Sequence, residues 1–127
     1  MAVAVQEPTT SVDFVTGSVV ANYQARAEDS IEVSLAELID APKDVGAIRA
    51  VVGTNQHLAE VVLDEESPVH SMGAVAWALD AQGLRLNVLV GLDRMGEAHM
   101  ELRGTPCTLQ GWWFADDDVH FTGFETP

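Results

Sequence analysis

The sequence predicts an α+β domain, an antiparallel sheet of five to seven strands with one or two short helices. Three observations predict it: apolar runs of strand length recur along the chain, turn chemistry separates them, and one stretch carries a helix-capping signature. The chain has 127 residues, 47% of them hydrophobic, which is enough for one core and too short for two. The expected organisation is a mobile N-terminus over 1–11, where Pro8 and Thr9-Thr10-Ser11 leave little to bury, and a single acidic domain over 12–127.

Residues 12–25 pull two ways. Val12, Val15, Val19 and Tyr23 fall on one helical face, while the valines, Thr16 and Gly17 favour extended chain. The reading is helix first, then strand or loop. Ile31 and Val33 alternate with Ser30, Glu32 and Ser34, the period of a half-buried strand. Ser34-Leu35-Ala36-Glu37 then fits a capping box, so a helix is expected from 35 to 41, stopped by Pro42.

Beyond Pro42 the runs 47–52 and 58–63 flank Gly53-Thr54-Asn55-Gln56, a loop of hairpin length and chemistry. The acidic turn Asp64-Glu65-Glu66-Ser67-Pro68 closes that unit. Residues 74–79 and 84–90 read as a second hairpin with the most apolar, central strands. Residues 98–110 and 111–125 read as a third pair, turning at Ala115-Asp116-Asp117-Asp118. There is no repeat, heptad or low-complexity tract.

Charge is the most unusual feature. Twenty acidic residues against six basic ones give a net charge of -14, and Lys43 is the sole lysine. The charge is uneven: -1 over 1–27, -8 over 28–66, 0 over 67–92 and -5 over 93–127. Such a field repels nucleic acid and anionic membrane and speeds encounter with a basic partner. A salt-adapted proteome or a GC-rich genome would also deplete lysine, but neither predicts the concentration in 28–66.

No apolar run reaches the roughly 18 residues of a membrane span, and residues 1–10 lack a secretory signal pattern, so a cytoplasmic location is expected. The single cysteine, Cys107, reads as a small core residue in a reducing compartment.

Catalytic signatures are absent: no GxSxG, HExxH, phosphate loop or dinucleotide fingerprint occurs, and no cofactor is expected. The nearest metal candidates are Asp116-Asp117-Asp118 with His120, and His99 with Glu97 and Glu101 if that segment is extended. Solvated turn acids and edge-strand charge explain both without an ion. His57 and His70 fall in expected loops without a partner in sequence. Trp112-Trp113-Phe114, with Phe121 and Phe124, gather aromatics into the last hairpin. Core packing is the first reading of them and a partner or oligomer patch the second.

The remaining constellation is acidic. Glu28 and Asp29 enter the first strand, and Glu37 and Asp40, three apart, would share one face of the capped helix while Leu38 and Ala41 turn to another. Carboxylates so spaced imitate a row of phosphates. The segment Glu28-Asp29-Ser30-Ile31-Glu32-Val33-Ser34-Leu35-Ala36-Glu37-Leu38-Ile39-Asp40 resembles the functional stretch of the phage uracil-DNA glycosylase inhibitors, small acidic proteins that occupy the repair enzyme's DNA cleft. In that family the glutamate falls seven residues after the serine, as Glu37 does after Ser30. The resemblance implies that Glu28, Asp29, Ser30, Glu37 and Asp40 lie at the enzyme contact, with Val33 and Leu38 lining a pocket for its intercalating leucine.

The resemblance covers roughly 28–90, including Ala76-Trp77-Ala78-Leu79-Asp80-Ala81-Gln82-Gly83, which is similar to the corresponding hairpin. Glu32 adds a charge the family pattern lacks, and 93–127 has no counterpart in it. The expectation is a DNA-mimicking inhibitor of a basic DNA-binding protein, uracil-DNA glycosylase first, acting in the host cytoplasm if phage-encoded. It would bind no nucleic acid or membrane itself and exist as a monomer or small homo-oligomer. The alternative is a non-catalytic assembly protein joined through its aromatic C-terminal hairpin, and the third reading is a metal enzyme using Asp118 and His120.

Overall fold

Val15, Val19 and Tyr23, each four residues from the next, are buried in a row and hold Ser11–Ala25 in one helix, α1. Burial of that stripe outweighs the β-preference of the valines, so the helix runs on where strand or loop was expected. The computed structural model describes residues 11–55 and 57–127; the expected mobile segment lies outside them except for Ser11, which opens α1. Ala27 takes a left-handed conformation at φ 54, and the Glu28 and Ala27 amides donate to the Tyr23 and Gln24 carbonyls at 2.9 and 3.0 Å. That pair of bonds is a Schellman stop built on alanine in place of glycine.

Six strands follow in one sheet, ordered as in the sequence: β1 (Ser30–Ser34), β2 (Arg49–Gly53), β3 (Leu58–Val62), β4 (Arg85–Gly91), β5 (Cys107–Ala115) and β6 (Asp118–Phe121). The fold is α+β, as the sequence predicts, with a mixed sheet and, among the described residues, four α-helices. The β2–β3 hairpin forms where the turn chemistry placed it. At the β1 edge Val33 packs on the core but Ile31 stands exposed, because the single turn of α2 covers only the end of the strand beside it.

That turn, α2, spans Leu35–Leu38 with Ser34 at its N-cap but no side-chain capping bond. The helix expected to 41 stops at Leu38: Ile39 turns extended to bury itself, and Pro42 disfavours helical backbone before it. Asp40 therefore does not share a helical face with Glu37.

The largest correction concerns 74–79. That run lies in a nine-residue helix, α3 (Met72–Asp80), entered through a 3-10 turn at Val69–Ser71. Met72, Val75, Ala76 and Leu79 are buried at helical spacing, while Trp77 points outward. β3 and β4 are consequently parallel neighbours joined by a helical crossover, not members of successive hairpins. A second helix, α4 (Met95–Glu101), follows a 3-10 turn at Leu92–Arg94 and makes β4 and β5 parallel in turn. The segment 98–106, expected to be strand, is the end of α4 and a loop, and β5 runs straight through 110–111. The β5–β6 hairpin does turn at Asp116 and Asp117, both left-handed at φ 54 and 61, as a two-residue loop of matching twist requires.

Each sheet face carries its own cluster. Ala50, Val52, Val61, Leu86, Val88 and Leu109 meet Leu35, Val75, Leu79, Met95 and Leu102 on the α2–α4 side; Cys107 lies there too, and its burial pushes the thiol pKa up. Val51, Val62, Leu89, Trp112 and Val119 meet α1 on the other. Gly53 lies directly under Tyr23, where an added Cβ would come within 2.8 Å of the ring Cζ and hydroxyl. The α1 face also holds polar groups. Asn87, fully buried, donates to Glu60 at 3.0 Å and Gln110 at 2.9 Å and accepts from Thr108 at 2.9 Å.

Candidate partner-binding surface

Of the residues singled out in sequence, Asp29, Glu37 and Asp40 are exposed and make no ion pair among the described residues. Glu28 is half-buried and pairs with Arg26 at 3.4 Å. Ser30 opens β1 opposite Gly53, and the Asp29 carbonyl accepts the Thr54 amide at 3.2 Å, which fixes the entry to the strand. Val33 and Leu38 are half-buried against the main core, and the Leu38 carbonyl accepts Gln82 Nε2 at 2.9 Å. Asp29 thus stands exposed before one end of the edge strand β1 and Glu37 and Asp40 beyond its other end, on and after α2.

A larger feature was not read from the sequence. At the carboxyl ends of the parallel strands lies a cleft of about 930 Å³. Four chain segments wall it: the first turn of α1 (Ser11, Val12, Asp13), the turn after β3 (Asp64, Glu65, Glu66), the end of β4 (Gly91 to Arg94) and the end of β5 (Trp112, Trp113, Phe114). Trp112 is buried against α1, but Trp113 is 38% and Phe114 49% exposed. Core packing, the first reading of the aromatics, does not hold for these two. Trp113 stacks on His120 with ring centres 5.5 Å apart, and Phe114 meets Phe14 edge-on at 5.7 Å.

Arg94 is the one cation in this wall, and it is already committed. Its Nη1 donates to the Asp64 and Ser67 carbonyls at 2.8 and 2.9 Å, and Nε and Nη2 form a two-point contact with Glu97 at 3.0 Å each. That contact holds the guanidinium pKa up and the Glu97 carboxyl down. The Asp64 carboxylate accepts the Ser67 hydroxyl at 2.8 Å and the Glu66 amide at 2.9 Å, and these bonds hold its pKa below the usual range. Asp64 is therefore both pinned and ionised. A smaller cavity of about 240 Å³ is lined by Val12, Asp13 and Asp64, which the cleft shares, together with Glu32 and Arg49. It joins the cleft to the acidic β1 edge.

The metal candidates have other employment. Asp118 caps its neighbour's amide at 2.8 Å, and His120 lies against Trp113 with Nε2 3.2 Å from the Ala115 carbonyl. Glu97, His99 and Glu101 sit on α4, not on a strand, so they do not share the expected face, and His99 pairs with Glu125 at 2.9 Å. Among the described residues no three His, Cys, Asp or Glu side chains converge as metal ligands, and no helix is long and apolar enough to cross a membrane. No protein-family model, curated protein or solved structure matches the chain.

Proposed function

We propose that this protein acts without catalysis, as an acidic surface that captures a basic DNA-binding protein and blocks it stoichiometrically, with uracil-DNA glycosylase as the first target to test. The observation that supports the reading is that Asp29, Glu37 and Asp40, at either end of the edge strand β1, are exposed and form no ion pair among the described residues. Exposed carboxylates steer a basic cleft onto themselves and compete with the phosphates that cleft normally holds. Uracil release from DNA is expected to fall to background at equimolar protein. Glu37→Lys is expected to abolish inhibition or speed dissociation at least tenfold. Unchanged excision at large excess of the wild-type chain rejects this target, and full inhibition by Glu37→Lys rejects the surface.

A second reading, assembly through the C-terminal hairpin, is favoured by the exposure of Trp113, Phe114 and Phe124 around the edge strand β6. Light scattering separates the two: a closed oligomer supports assembly, and a monomer supports capture.

A further inference from the structure

We infer that the cleft at the carboxyl ends of β3, β4 and β5 is a binding site for an arginine-bearing segment of a partner protein. It is a site separate from the acidic sheet edge and does not depend on which enzyme that edge contacts.

The wall combines two features that each favour a cationic ligand. Trp113 and Phe114, adjacent on β5 and so turned to opposite faces of the sheet, each leave part of a ring exposed at the cleft, whose wall also carries Asp64, Glu65, Glu66 and Asp93. Arg94 bonds to Glu97 and to two carbonyls of the 64–67 turn, and its charge also reaches Asp64 and Asp93, so a single guanidinium faces Asp64, Glu65, Glu66, Asp93 and Glu97 together. Aromatic faces attract cations, and carboxylates beside them add a charge-assisted hydrogen bond. A planar guanidinium uses both at once, stacking on the ring while its edge meets a carboxylate, whereas an ammonium presents only a point charge.

Charge also decides what does not fill the cleft. The ten residues before Ser11 carry Glu7 as their only charged side chain, so the chain's own terminus brings no complementary side chain. A second copy would add another -14, and nucleic acid or an anionic lipid surface would be repelled in the same way. A basic polypeptide segment is the occupant that both the aromatic and the acidic parts of the wall accept.

The test is titration of a fluorescent hexaarginine peptide into the full chain, with hexalysine as the equal-charge comparison. One saturable site is expected, with hexalysine several-fold weaker. Trp113→Ala and Phe114→Ala are each expected to weaken hexaarginine about tenfold, a loss of the size cation–aromatic contacts carry. Should either aromatic variant fail to fold, Glu65→Gln with Glu66→Gln, both on an exposed turn, keeps the test standing and is expected to weaken binding comparably.

The control is Asp80→Lys with Glu101→Lys, exposed acids at the last residues of α3 and α4. It is matched by Glu65→Lys with Glu66→Lys, which alters net charge by the same amount. The cleft pair should lose binding and the control pair should keep it within about threefold. Equal losses in the two pairs would show that the overall field holds the peptide and would overturn the site. Hexaarginine affinity untouched by Trp113→Ala, hexalysine binding as tight as hexaarginine, or a homodimer that Trp113→Ala dissolves would each overturn it as well. Failure here leaves inhibition through Glu37 standing, and failure of inhibition leaves peptide binding standing.

Discussion

The two faces of the sheet are built differently. The side under α2, α3 and α4 is a dry cluster in which every buried residue is apolar, Cys107 included. The side under α1 is smaller and shares its space with Glu60, Asn87 and the Tyr23 hydroxyl, which lies near the Glu60 carboxylate but has no partner at hydrogen-bond distance among the described residues. A buried polar group left unpaired costs stability, and a face with fewer apolar contacts has less with which to offset it. The difference implies a division of labour: the dry face fixes the fold, and the α1 face, whose N-terminal turn walls the cleft, is the more easily opened layer.

Leu86 and Leu89 break or sharpen that comparison most directly, being the same residue on one strand, fully buried on opposite faces. Leu86→Ala is expected to cost about 3–5 kcal/mol and Leu89→Ala about 2–3 kcal/mol by denaturant unfolding, because α1 can settle into the smaller cavity. Equal costs would erase the distinction.

Tyr23 tests the polar side. Burial foremost, and then the Glu60 carboxylate, pushes its pKa up from the ordinary 10.0. The folded state therefore holds the phenol proton more tightly than the unfolded chain does. That share of stability is complete below pH 10.0 and is lost as pH rises from there toward the folded value. Tyr23→Phe should remove the alkaline loss while leaving neutral-pH stability unchanged or raised by about 1 kcal/mol. As Tyr23 is the only tyrosine, tyrosinate absorbance follows its ionisation cleanly.

The smallest effect lies at the helix ends. α3 closes with the same pair of bonds as α1, from Leu84 to Leu79 and from Gly83 to Asp80, but with glycine at the left-handed position, φ 78. Ala27→Gly should stabilise α1 by about 1 kcal/mol. Hydrogen exchange should show the gain confined to α1 amides; a gain spread evenly over the sheet would mean that α1 does not open by itself.

The pattern of what could be read in advance has physical causes. The β2–β3 hairpin and the Asp116-Asp117 turn were legible because turn backbone conformations admit few residues. α3 was not, because Gly73, Ala74, Trp77 and Ala78 on its less buried side are not polar enough to reveal a helical stripe. That misreading hid the cleft. Successive hairpins send strand ends alternately up and down, whereas the crossovers through α3 and α4 bring the ends of β3, β4 and β5 to one side. Only then do Asp64, Asp93 and Trp113 line one cleft with the first turn of α1. The exposed acids of 28–40 were legible as charge, but the length of α2 and the register of Asp40 depended on Ile39 seeking the core.

The sheet is open at both sides, and its outermost strands are short: five residues in β1 and four in β6. Unpaired backbone at such margins is a template for joining copies into extended β-stacks. Glu32 stands on one margin and Asp118 on the other, both exposed. Mutual repulsion between identical chains thus protects the margins while carboxylates are ionised. Acidification removes that protection before the core is touched, so low pH should promote fibrillar or amorphous self-association ahead of unfolding.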